Sequence, residues 1–222
     1  MGSAGAANAT TWHDGDMLTY TQADWGDVPN GTNIASVFEA NYSTVYAPFG
    51  VFQVRDLNGF TMFFGSAATV LTYLPASGPV GALNADLIDP TLTSAGEFGG
   101  DVAAARLDLD FDDAGLVHGT AGVHFGDLSL YGLTATPDLD GLTVRQAIAA
   151  LESALAGLPT NDTYADLDTL ARDLEASFFV GSPSTFAQDH LAAPVPEPAT
   201  GLLVMVGVLG LAVARRKASV SA

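Results

Sequence analysis

Leu107-Asp108-Leu109-Asp110-Phe111-Asp112-Asp113-Ala114-Gly115 is the densest run of carboxylates in the chain, and the fold turns on how it is read. Strict alternation of apolar and acidic residues has the period of a β-strand. It places Leu107, Leu109 and Phe111 on one face and Asp108, Asp110 and Asp112 on the other. The competing reading is a calcium loop, which wants small or polar residues between its acids and a glycine at the sixth position, here Asp113. The alternation therefore predicts a strand. Its outward acidic face makes Asp108, Asp110, Asp112 and Asp113 the candidate ligands for a surface calcium ion. Gly96, Gly99 and Gly100 precede the run and Gly115 ends it. Val123 to Leu133 is a second strand candidate, with His124, Asp127 and Ser129 set among Phe125, Leu128, Leu130 and Leu133.

Upstream, Met17 to Thr21, Phe49 to Val54, Phe60 to Phe64 and Thr69 to Leu74 are short runs rich in aromatic and β-branched residues. They are separated by Asp14-Gly15-Asp16, Asn30-Gly31, Asn58-Gly59 and Ser77-Gly78-Pro79, and read as strands and turns. Asn58-Gly59 is the best hairpin signal, lengthened by Arg55 to Leu57. Asn33 to Glu39 reads as a helical turn. Trp12, Trp25, Tyr42 and Tyr46 belong to this part. They read as core residues, with stacking on sugar rings as the alternative.

Downstream the period changes. Val144, Ile148, Leu151 and Leu155 recur at helical spacing, Thr143 with Gln146 fits a capping box, and Gly157 stands where the helix should end. Thr163 with Asp166 resembles a second N-cap, and Leu167, Leu170, Ala171 and Leu174 line a helix running to about Ala176. This helical hairpin is expected to cover the open face of the β part. Ser182-Pro183-Ser184 reads as a turn, and Phe186 to Leu191 as one turn of helix.

Charge narrows the function. The chain of 222 residues holds 25 acids and seven bases, a formal net charge of −18. Of these only Glu197, Arg215, Arg216 and Lys217 lie in the C-terminal tail, so four arginines face 24 acids in the remainder. Such a domain repels phosphate backbones, which argues against nucleic-acid binding. It suits divalent cations or a salty medium. There is no cysteine, hence no disulfide, thiol nucleophile or thiolate metal site. His13, His118, His124 and His190 sit in no H-E-x-x-H pattern, and Gly65-Ser66 and Gly181-Ser182 lack the second glycine of a nucleophile elbow. His118, His124 and Asp127 would gather at a metal only if a turn brought them together. No catalytic residue and no resident cofactor is expected, calcium being the one ion the acidic run would take.

The tail is organised differently. Val195-Pro196-Glu197-Pro198 is followed by the uncharged run Gly201 to Ala214 and then by Arg215-Arg216-Lys217. With Ala199 and Thr200 the run makes about 24 Å of helix, short of a bilayer core of about 30 Å. Proline suits a helix start and cations a helix end, and the basic cluster is expected to stay cytoplasmic. At the other end, Ala7-Asn8-Ala9 fits a signal-peptidase site, so the mature chain is expected to begin near Thr10.

Pro-Glu-Pro, the short apolar helix and the basic end together resemble the PEP-CTERM sorting signal of exported proteins in Gram-negative bacteria that make exopolysaccharide. The resemblance covers about the last 28 residues. It implies recognition by exosortase, a membrane-embedded transpeptidase, and release or transfer of the ectodomain to the envelope or matrix. The remainder resembles uncharacterised PEP-CTERM ectodomains through Phe98-Gly99-Gly100, the Leu-x-Leu-x-Phe-x-Asp run, Phe125-Gly126-Asp127-Leu128 and Thr143-Val144-Arg145-Gln146.

The resulting expectation has three parts: a signal remnant or disordered start at 1–9, an exported α+β domain at 10–191, and a Pro-rich spacer with the sorting and membrane segment at 192–222. Within the domain, an antiparallel sheet or sandwich is covered by the C-terminal helical hairpin. The expected role is a structural or adhesive component of the exopolysaccharide layer, with that polysaccharide as partner. The alternatives are a calcium-assisted carbohydrate-binding module and a matrix polysaccharide hydrolase.

Overall fold

The acidic run is helical. In the computed structural model, which describes residues 10–194, it forms the last turns of a 17-residue helix, Glu97–Asp113, through the middle of the molecule. The elements in chain order are α1 (Gln22–Trp25), α2 (Ile34–Val45), β1 (Phe52–Arg55), β2 (Thr61–Phe64), α3 (Ala67–Tyr73), β3 (Leu87–Ile88), α4 (Glu97–Asp113), β4 (Ser129–Leu130), α5 (Val144–Leu155), α6 (Tyr164–Glu175), α7 (Thr185–His190) and β5 (Leu191–Ala192).

The strand reading of 107–113 failed because α4 is buried on almost every side. Phe98, Val102, Leu107, Leu109 and Phe111 are buried, and so are Asp101, Asp108 and Asp112. A helix surrounded by protein has no solvent stripe, so the 3.6-residue period disappears from its hydropathy. Its buried carboxylates survive because each accepts donors from a distant segment. Asp108 Oδ1 accepts the Tyr20 N–H at 2.9 Å and the Trp25 Nε1–H at 3.1 Å. Asp112 Oδ2 accepts the Phe125 N–H at 2.9 Å and lies 3.0 Å from His124 Nδ1. Asp101 Oδ1 accepts from Gln22 Nε2. These carboxylates tie irregular loops to α4 where no sheet could hold them.

Gly100 serves the same junction. A Cβ there would stand 2.8 Å from the Ala76 Cβ and closer still to Gln22 Oε1, so only a bare backbone lets the Gln22 amide reach both Asp101 and the Ala76 N–H.

The α+β class holds, but helices predominate and the sheets are small. β1 pairs antiparallel with β2, Phe52 opposite Phe64 and Arg55 opposite Thr61, and β3 adds parallel to β2. The expected hairpin at Asn58-Gly59 is therefore present. β4 and β5 form a separate antiparallel pair. Three further strand expectations are corrected. Thr69 to Leu74 lies mostly in α3, where Ser66 caps the Thr69 N–H and the Thr72 hydroxyl bonds the Ala68 carbonyl, accommodating β-branched residues in a helix. Met17 to Thr21 contributes only a single bridge, Thr19 to Phe179. Val123 to Leu133 is a 3₁₀ turn at Phe125–Asp127 followed by the two-residue β4. The helical turn expected from Asn33 extends to all of α2, capped by the Asn33 side chain on the Ser36 N–H.

Both C-terminal helices appear where their caps place them. Thr143 and Gln146 close the capping box of α5, and Thr163 accepts the Asp166 N–H at the start of α6. The hairpin they form covers α4 rather than the sheet. α6 packs along α4, and α5 lies against α4 and meets the sheet at β1. Trp12, Trp25 and Tyr42 fill the core, as read.

The folded body continues to Ala193, whose N–H is held by the Thr10 hydroxyl at 2.8 Å, while the Trp12 indole bonds the Leu191 carbonyl at 2.9 Å. Among the described residues no helix is long and apolar enough to cross a membrane. The expected signal remnant at 1–9, Val195, Pro196, Glu197, Pro198, the apolar helix and Arg215, Arg216 and Lys217 lie outside the described residues.

Candidate functional site

The helical conformation of 107–113 divides the four calcium candidates. Asp108 is buried, and burial raises its carboxyl well above the usual range. Asp110 accepts from Arg106 Nε at 2.8 Å. Asp112 is occupied by the Phe125 amide and His124. Asp113 is gripped by both Arg145 amino groups, at 2.6 and 2.8 Å. The four therefore do not converge. Among the described residues, Asp112 and Asp113 do come together with His124, their ligand atoms lying within 4.8 Å of one another. A guanidinium already sits on one of those carboxylates, so a calcium ion would have to displace a cation with two hydrogen bonds. His124 thus meets the acidic run without His118, and Asp127 lies 3.8 Å from Arg145.

A concavity lies beside this cluster. It is a groove of about 670 Å³ between the C-terminal end of α2 with its following loop, the outer face of β1 and the last turns of α4. Period-two alternation builds one wall: Phe52 and Val54 point into the core, so Gln53 and Arg55 point out into the groove. Helical spacing builds the opposite wall, where Arg106, Asp110 and Asp113 share a side of α4 that reaches solvent. The loop between Pro48 and Gly50 presents Phe49 at the mouth with 84% of its surface exposed. Tyr46 closes the inner end, its ring packed 5.0 Å from Tyr42 and 5.3 Å from Phe52.

The electrostatics of the groove are unusual for so acidic a chain. Arg106 bridges Asp110 and the buried Glu152, 3.2 Å from Glu152 Oε1. Burial pushes the Glu152 carboxyl up to about 7 against the pull of Arg106, and raises Asp110 in the same way. Burial and the neighbouring Asp110 raise the Tyr46 hydroxyl, which stands beside the Asp110 carboxylate without a close hydrogen bond. Among the described residues Arg106, Arg145 and Arg172 all form ion pairs. Arg55 forms none.

Sequence reasoning missed Phe49, Gln53, Arg55 and Arg106 as site residues, and read Tyr46 as core or sugar-stacking. One signal was available: Arg55 is the sole base in the first 105 residues, next to a predicted hairpin. Nothing local announces that residues 46–55 face 106–113.

Residues 194–217 match the family described as the PEP-CTERM protein-sorting motif. No curated protein and no solved structure matches the chain. The C-terminal region is thus a sorting signal, and it marks this chain as an exported protein addressed to exosortase, a membrane enzyme.

Proposed function

We propose that the protein is a non-catalytic structural or adhesive component of the exopolysaccharide layer, delivered there after exosortase processes its tail near Pro196-Glu197-Pro198. The observation that carries this reading is the sorting motif at residues 194–217, which marks the chain as exported and addressed to exosortase. Two features of the ectodomain support it. The groove is open and carries an exposed aromatic ring beside hydrogen-bonding side chains, the combination that holds a sugar. The carboxylates on its wall, Asp110 and Asp113, are each engaged by a guanidinium group, which leaves neither free to act as a general acid. Glu152 titrates near neutrality but is only 5% exposed and lies off the groove lining, so its shift reports burial.

The test is made in a host that carries exosortase. Intact mass and fractionation are compared for the native protein and a variant with Pro196, Glu197 and Pro198 all changed to Ala. The expected result is a tail-less protein in the polysaccharide fraction and a full-length variant in the membrane. If both keep residues 201–222 and stay in the membrane, the tail is an anchor and the matrix role is refuted.

A further inference from the structure

We propose that the groove between β1 and the last turns of α4 binds an acidic saccharide unit, with Arg55 receiving its carboxylate and Phe49 stacking on its ring. The inference rests on the reading of the protein as a matrix component and specifies what that component holds.

Arg55 carries the argument. Four arginines serve a domain with 24 acids, and three of them are committed to carboxylates at 2.6 to 2.9 Å. In such a background an unpaired guanidinium is the exception, and this one stands on the groove wall. Its planar fork matches a carboxylate, which it binds through two parallel hydrogen bonds. The acids opposite are already held by other cations, Asp110 by Arg106, which it shares with the buried Glu152, and Asp113 by Arg145. The groove therefore presents, among the described residues, one guanidinium with no carboxylate of its own. In about 0.15 M salt the Debye length of about 8 Å confines the repulsion from the distant acids.

Three further groups point to a saccharide rather than a bare anion. Phe49 is exposed at the mouth, where a ring face can cover the C–H face of a sugar. Tyr46 sets its hydroxyl beside Asp110 at the inner wall, and Gln53 lines the same groove with its amide. A phosphate or sulfate would use Arg55 alone, whereas a uronate unit uses the carboxylate, the hydroxyls and the ring together.

The test titrates the full chain in a polyoxyethylene detergent, which contains no sugar, with a mannuronate hexamer and with cellohexaose, followed by calorimetry. Wild type is expected to prefer the mannuronate hexamer, and that preference to weaken with added salt. Arg55→Gln, an exposed substitution, should lower mannuronate affinity by about tenfold or more and leave cellohexaose unchanged. Phe49→Ala should weaken both. Equal affinity for the two hexamers, or a preference that survives Arg55→Gln, overturns the acidic specificity while leaving an adhesive role standing. Binding of neither hexamer, or binding unaffected by Phe49→Ala, overturns the groove as the site. The matrix role itself is read separately, from fractionation of the native protein.

Discussion

Glu152→Gln is the most informative single substitution, because its effect depends on pH in a way that packing alone would not produce. Glu152 lies on α5 beneath Arg106, facing Asp110 from the same helix as Arg106, with Arg55 acting on it from β1. Its carboxyl titrates at about 7, above the ordinary 4.5. A raised carboxyl contributes stability that is fully present below its unfolded value and is lost as pH rises through its folded value. At 1.36 kcal/mol per unit, the loss between pH 4 and pH 8.5 is about 3 kcal/mol. Glutamine keeps an acceptor for Arg106 and carries no charge to desolvate, so it does not share that loss. The assay is urea unfolding of wild type and variant at pH 4, 5.5, 7 and 8.5. With an m-value of about 2 kcal/mol per M, the variant's midpoint should gain roughly 1.5 M relative to wild type across the series. The comparison cancels contributions common to both proteins, such as that of Glu175, which burial raises to about 10. Parallel curves would refute the desolvation argument. A variant that loses ground as pH rises would show that the Arg106 pair outweighs burial.

Other substitutions probe the same structure. Tyr46→Phe removes a buried hydroxyl that stands beside Asp110 without a close hydrogen bond, so stability in thermal or urea unfolding should change by less than about 1 kcal/mol; a loss larger than that would mean the hydroxyl is bonded to Asp110 in solution. Gly100→Ala forces a methyl group into the Gln22 side chain and the Ala76 Cβ and should cost about 1–3 kcal/mol; an unchanged urea midpoint would show that the Gln22–Asp101 junction is slack. Arg145→Ala frees Asp113 beside Asp112 and His124, so millimolar calcium should raise the melting temperature of that variant and leave wild type unmoved; a wild-type response would mean that calcium displaces the guanidinium. Asp108→Asn should be nearly neutral, because the asparagine carbonyl can still accept from Tyr20 and Trp25, whereas Asp108→Leu should cost about 2 kcal/mol or more, read from urea midpoints at pH 7; equal losses would mean that the charge on Asp108 matters.

What could be read directly from residues is what short-range chemistry decides. The capping box of Thr143 and Gln146, the Thr163 cap and the turn at Asn58-Gly59 each act within a few positions, and each stands where the residues place it. The sorting tail is legible for the same reason: its three parts are contiguous, and they are matched as one motif. The tertiary structure alone decided the rest. Whether Asp108, Asp110 and Asp112 line a strand or wind around a helix depends on Tyr20, Trp25 and Phe125, donors up to 88 positions away that let carboxylates be buried. With those donors in place, apolar and acidic residues are both inside, and the alternation of the sequence no longer reports which face meets water. The groove follows from the same event, since a helical 106–113 turns Arg106, Asp110 and Asp113 toward β1 and leaves Arg55 opposite them without a partner.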